Sequence, residues 1–148
     1  MNDPRSRTRE VLEQGYLLSL GTVDEGGVWV SDIIYISDDQ FNIYWMSNPN
    51  FRHSKAIEKN PKVAGTITAS QKPGELDFAV QLEGAAEKLN GPQLALVAKY
   101  LIKRGKTIPK KITNILREGY SWYKLTPTKI ELIDQKNFKF EKQKITFN

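Results

Sequence analysis

The chain contains no cysteine and a single histidine, His53. Thiolate zinc sites, iron–sulfur clusters, CxxC redox pairs and multi-histidine metal cages are thereby excluded, so any redox chemistry has to come from an organic cofactor. Long apolar runs are also missing. None approaches the roughly 20 residues that cross a bilayer, and the opening MNDPRSRTREVLEQG has no signal-peptide core, so a cytoplasmic protein is expected. There is no GxGxxG after a strand, no Walker-type glycine loop and no GxSxG elbow. The acid pairs Asp24/Glu25 and Asp38/Asp39 fall in the turn-rich DEGG and SDDQ, where carboxylates favour solvent and local turn bonds. No catalytic residue and no metal ligand set is expected.

At 148 residues the chain reads as one domain over 1–148, large enough to fold without staples. Its net charge of +5 is uneven, because Lys99, Lys103, Arg104, Lys106, Lys110, Lys111 and Arg117 share a stretch without acids. That stretch is either an anion-binding or nucleic-acid face, or the wet side of a helix. Leu94, Val97, Ala98 and Leu101 recur at helical spacing and favour the second reading.

Asp3-Pro4 and Gly15 bracket a short helix over Arg5–Gln14. Tyr16–Thr22, Val28–Ile36 and Phe41–Ser47 read as three strands joined by hairpins, an antiparallel meander. The middle strand puts Val28, Val30, Asp32, Ile34 and Ile36 on one face and Trp29, Ser31, Ile33 and Tyr35 on the other. Apolar residues on both faces predict a barrel wall covered on both sides, one of them by a subunit contact or by the barrel itself. Asp32 interrupts its face, and a buried carboxylate is costly unless satisfied. It either lines a site, pairs with a basic side chain, or reaches the barrel rim. A helix over Arg52–Asn60 follows, then strands Lys62–Ser70 and Asp77–Leu89, with Gly84 marking a bulge or corner. Pro92 opens a helix to about Arg104 and Pro109 another to about Arg117. Strand alternation returns in YSWYKLTPTKIELID, and Phe138 and Phe140 of the NFKF tail predict an added edge strand.

The stretch SNPNFRHSKAIEKNP carries the strongest chemical signal. A strand ends there, a helix begins, and Arg52, His53, Ser54 and Lys55 crowd the junction. Unpaired amides and the positive end of the helix dipole, joined by basic side chains, make an anion site for which phosphate is the natural occupant.

The order LGTVDEGG, VWVSDIIYI, a strand ending WMS, FRHSKAIEKNPKVAGTI and VQLEGAAEKL resembles the pyridoxamine-phosphate-oxidase-like, FMN-binding split barrels. The later YSWYKLTPTKIELID and NFKF bring it closest to the YhbP-like bacterial branch of that family. The resemblance implies a mainly β fold, a six-stranded antiparallel split barrel with flanking helices, and a homodimer with FMN at the subunit interface. It places Arg52, His53, Ser54 and Lys55 at the flavin phosphate. It sets Ser31, Asp32 and Ile33 along the isoalloxazine, Ser47 at the ribityl chain or ring, and Gln81 at a polar cofactor-facing position. Trp122 is either the partner subunit's aromatic contribution or a core residue. Oxidase activity on pyridoxamine phosphate is not expected: no arginine follows Arg117, and YKLTP stands where the RLxP segment would be. The implied function is a flavin oxidoreductase acting on a small molecule. The alternatives are a non-catalytic protein that binds flavin or another phosphorylated ligand, and a basic nucleic-acid-binding barrel.

Overall fold

A computed structural model describes residues 3–105 and 119–147 of the chain. The helix expected after Pro109 lies outside the described residues, as do Lys106, Lys110, Lys111 and Arg117. Helix α1 (Pro4–Gln14) starts where the sequence signals it: the Asp3 carboxylate accepts a hydrogen bond from the Arg5 amide, and Pro4 takes the first position, where its missing N–H removes nothing. It stops at Gly15, where the backbone turns extended and only glycine fits the space. A Cβ on Gly15 would lie 2.4 Å from the Ile67 side chain and 2.7 Å from the Tyr35 hydroxyl.

Strands β1 (Leu17–Asp24) and β2 (Gly27–Ile34) form the expected hairpin, in register from Leu17↔Ile34 to Asp24↔Gly27. The expected meander ends there. Only Tyr35 separates β2 from the short β3 (Ile36–Ser37), which leaves β1 and pairs with β4 (Ile43–Ser47). The change of partner has an anchor: the Tyr35 ring is buried, and its hydroxyl donates to the Leu12 and Gly15 carbonyls at 2.7 and 3.2 Å, pinning the chain to the end of α1.

After α2 (Arg52–Lys59) come β5 (Lys62–Thr68), β6 (Phe78–Lys88), α3 (Leu94–Lys103), β7 (Ser121–Asp134), α4 (Gln135–Phe138) and β8 (Gln143–Ile145). All pairs are antiparallel, in the order β2-β1-β5-β6-β7-β4-β3 with β8 on β7. The two ends of that order, β2 and β3, are chain neighbours, so the sheet curls back on itself as a split barrel. Among the described residues it has eight strand segments rather than six, because Tyr35 divides one expected strand and β8 is additional. The register shifts at Glu83/Gly84, where a Cβ would sit 2.2 Å from the Thr126 carbonyl oxygen, so glycine permits the bulge. NFKF is not a strand. The Asp134 carboxylate caps the turn of α4 by accepting from the Asn137 amide, and the edge strand forms later, at β8.

Cross-strand neighbours share a face, so the register separates inside from outside. The row Ile33, Leu18, Ile67, Val80 and Leu132 points inward, and every member is buried. Each such side chain contributes about 1.5–3 kcal/mol by leaving water. A second cluster, Ile36, Val97, Tyr100, Leu101 and Trp122, lies under α3. The outer face of β2 is open: Val28 is 74% exposed and Val30 60%. The strand expected to be covered on both sides is covered on its inner face only toward Ile33, since Trp29 is itself 44% exposed. Among the described residues no helix is long and apolar enough to cross a membrane.

Candidate functional site

Ser47 ends β4, and Asn48 folds the connection by accepting the Asn50 amide on its side chain and the Phe51 amide on its carbonyl. Phe51 occupies the N-cap of α2 in an extended conformation with no side-chain cap bond. A helix of this sequence could have been capped by a Ser, Thr or Asp; an aromatic at that position leaves the first-turn amides without a side-chain acceptor.

The four expected phosphate residues occupy three different surroundings. His53 is buried, and its Nε2 lies 2.7 Å from the Ser47 hydroxyl. Burial lowers its pKa below the ordinary histidine value, so it adds no charge to the junction at neutral pH. Ser54 is buried on the other flank of the helix, where with Tyr123, Glu58 and Lys88 it lines a cavity of about 320 Å³. Its hydroxyl makes no hydrogen bond of good geometry, although it is near enough to the Tyr123 phenol to offset part of the upward pull of burial on that group. Arg52 and Lys55 together line a larger cleft of about 1060 Å³ between α2 and the β1–β2 turn.

Arg52 does not face that cleft as a free cation. Its Nε and Nη2 donate to the two Asp24 oxygens at 2.9 and 3.1 Å, and its guanidinium lies 4.4 Å from the centre of the Trp29 ring. The Arg52 hydrogen bond leads in holding the Asp24 carboxyl below the usual carboxylate range, helped by the Gly26 amide at 2.8 Å. Gly26 leaves room for the pair, since a Cβ there would meet Arg52 Nη2 at 2.8 Å. Nη1 of Arg52 makes no hydrogen bond among the described residues. Lys55 is exposed and has no ion pair among them. Asp24 and Trp29 are the residues that sequence reasoning missed. Asp24 was legible only as a turn acid, because pairing it with Arg52 requires knowing that the β1–β2 turn folds over α2.

The remaining expected residues lie apart from this cleft. Asp32 is exposed and accepts the Ser19 hydroxyl at 2.6 Å. It is neither buried nor paired with a base, because the outer face of β2 is open. With Ser19, Thr66 and Thr68 it lines a separate cavity of about 460 Å³. Pleating sends its neighbours the other way: Ile33 is in the core and Ser31 pairs with the inward-facing Leu20. Gln81 belongs to the same outward row as Asp32, reached through Ser19 and Thr66, and accepts a hydrogen bond from Lys142 at 2.8 Å. Trp122 is buried, edge-to-face with Tyr100 at 5.2 Å. Among the described residues no group of three or more His, Asp or Glu side chains gathers as a metal site.

The described part of the basic stretch engages its own chain. Lys99 donates to the Ser37 carbonyl and lies 3.5 Å from Glu13, Lys103 lies 3.4 Å from the Tyr35 ring centre, and Arg104 donates to the Tyr100 hydroxyl at 2.9 Å. Burial brings the Lys103 amine down to about 8.

A UPF0306 protein of Yersinia pestis is 28% identical over 81 residues, which are 54% of this chain and 55% of that protein; the chain spans about half the length of the curated relatives it matches. Solved structures of other proteins share the fold. A candidate pyridoxamine 5'-phosphate oxidase from Listeria innocua has a TM-score of 0.70 at 15% identity, covering 88% of this chain and 98% of that one. A heme-binding protein from Mycobacterium smegmatis has a TM-score of 0.71 at 16% identity, covering 99% of this chain and 59% of the other. Residues 5–134 match the pyridoxamine 5'-phosphate oxidase family from α1 to the end of β7, and the chain belongs to that family.

Proposed function

We propose that this single domain binds FMN and acts, as a homodimer, as an oxidoreductase that moves a hydride or electrons between the flavin and a small molecule. The observation that carries this reading is the uncapped start of α2 beside Arg52 and Lys55 in one cleft. The donor set fits a phosphate monoester, whose charge of about −1.5 to −2 calls for charge-assisted bonds from cations and backbone amides. Lys55 and the first-turn amides would hold the phosphate, with Arg52 as the second cation. Ser31, Asp32, Ile33 and Gln81 would run along the ribityl chain and ring, while Ser47, bonded to His53, and Trp122, in the cluster under α3, stay in the core. At Ser31 and Ile33 the main chain rather than the side chain would make the contact. Bound flavin would supply the redox chemistry, so the chain needs no nucleophile of its own.

The exposed Val28 and Val30 on the edge strand β2 support a second copy covering that face. Heme is disfavoured as the resident group, because Nε2 of His53 is held by Ser47 and the ring is buried. The test is the visible spectrum of the protein after FMN is added and the unbound fraction removed by gel filtration. Flavin bands that survive filtration, and are lost in Arg52→Ala/Lys55→Ala, are expected. A protein that stays colourless overturns the flavin reading. Bound flavin that no nicotinamide or dithionite-coupled substrate turns over would leave the non-catalytic alternative.

A further inference from the structure

The cleft at α2 is lined by as many acids as bases: Asp24, Glu25 and Glu58 face Arg52, Lys55 and Lys59. Such a cleft offers a dianion no net positive charge, and the acid most responsible is Asp24, which takes both Nε and Nη2 of Arg52. We infer that Asp24 is a built-in competitor for Arg52, so that a phosphate entering the cleft acquires the full guanidinium only by displacing the carboxylate of its own chain. This rests on the phosphate assignment made above and adds a control element to it.

Three features make the contact suited to exchange rather than to permanent bracing. Both partners are partly open to solvent, with side-chain exposures of 38% for Arg52 and 25% for Asp24, so the pair can part without stranding a buried charge. The guanidinium has a second support, the Trp29 ring, which keeps it at the mouth of the cleft when Asp24 lets go. Asp24 has a second partner as well, the Gly26 amide, so the released carboxylate keeps a hydrogen bond in its own turn. Asp24 also orients Arg52, and the two roles oppose each other. For a doubly charged ligand a few ångströms from a carboxylate, repulsion outweighs the loss of orientation, particularly where an asparagine can still accept from the guanidinium.

The experiment compares wild type, Asp24→Asn, Arg52→Ala and the double variant, titrated with FMN, riboflavin and inorganic phosphate by fluorescence and calorimetry. Asp24→Asn is expected to tighten FMN and inorganic phosphate by about tenfold and to leave riboflavin unchanged. In the Arg52→Ala background the same substitution should tighten FMN by about threefold or less, since the direct repulsion of the dianion remains but there is no guanidinium left to compete for. FMN binding that is equal or weaker in Asp24→Asn overturns the inference and leaves the flavin reading intact. Tighter inorganic phosphate without FMN binding in any variant keeps the competitor and removes the flavin. Failure of every variant to bind either anion overturns both. Matching melting temperatures for wild type and Asp24→Asn identify the effect as one on the site.

Discussion

The described residues contain the same small constellation twice, an arginine that gives Nε and Nη2 to an aspartate while its guanidinium lies over an aromatic ring. In Arg7–Asp134 the ring is Phe78 at 4.1 Å, the carboxylate is 1% exposed, Asn137 supplies a further donor at 2.7 Å, and Nη1 of Arg7 goes to Glu10. In Arg52–Asp24 the ring is Trp29, both side chains reach solvent, and Nη1 has no partner among the described residues. The first joins α1 to the end of β7 with each guanidinium nitrogen engaged. The second stands at the mouth of a cleft. Identical pairings therefore say little about role, which follows from what else is buried around them.

Removing the arginine from each pair separates the two. Arg7→Ala leaves the Asp134 carboxylate buried with only Asn137 and should cost about 2 kcal/mol in denaturant unfolding. Arg52→Ala should leave the unfolding midpoint at the wild-type value. A comparable loss from both would erase the distinction. Flavin retention should reverse the order: Arg52→Ala/Lys55→Ala weakens FMN by about a hundredfold or more, whereas Arg7→Ala, measured below its melting temperature, retains it.

Two smaller effects sharpen the picture through pH. His53 has a depressed pKa in the folded chain, so as pH falls below about 6.5 the unfolded chain takes up the proton first and stability declines. His53→Gln should flatten that decline, and a slope that persists would assign it elsewhere. Lys103 also has an aromatic beneath it but no carboxylate within ion-pair distance among the described residues. Between its folded value of about 8 and its unfolded value of 10.5, the unfolded chain holds the extra proton, so stability rises with pH across that window. In Lys103→Met the rise should disappear.

Much of the fold was legible because its signals are local. Asp3-Pro4 and Gly15 bound α1, alternation marks β1, β2, β5, β6 and β7, and Gly84 announces the bulge. Most of the departures are non-local. Nothing in VWVSDIIYI reveals that Tyr35 will be held by the Leu12 and Gly15 carbonyls and will divide the strand. At NFKF the signal is local and was outweighed by the Phe138/Phe140 alternation: Asp134, three residues before Asn137, is an N-cap and starts a helical turn there. At the site, the junction between β4 and α2 was visible as a basic helix start. Its charge was overread, because His53 is neutral inside the core and Arg52 is matched by an acid from another turn.

Tyr35 has one more consequence, for the entropy of closing the barrel. The strands at the two ends of the sheet order, β2 and β3, are tied by that single residue, so bringing the split edges together adds almost no loop-closure entropy. The entropic burden of folding falls instead on β4 finding β7, with Ser47 pairing Ser121 across most of the intervening chain. Among the described strand pairs this one spans the longest stretch of chain, so its closure carries the largest loop entropy of the sheet.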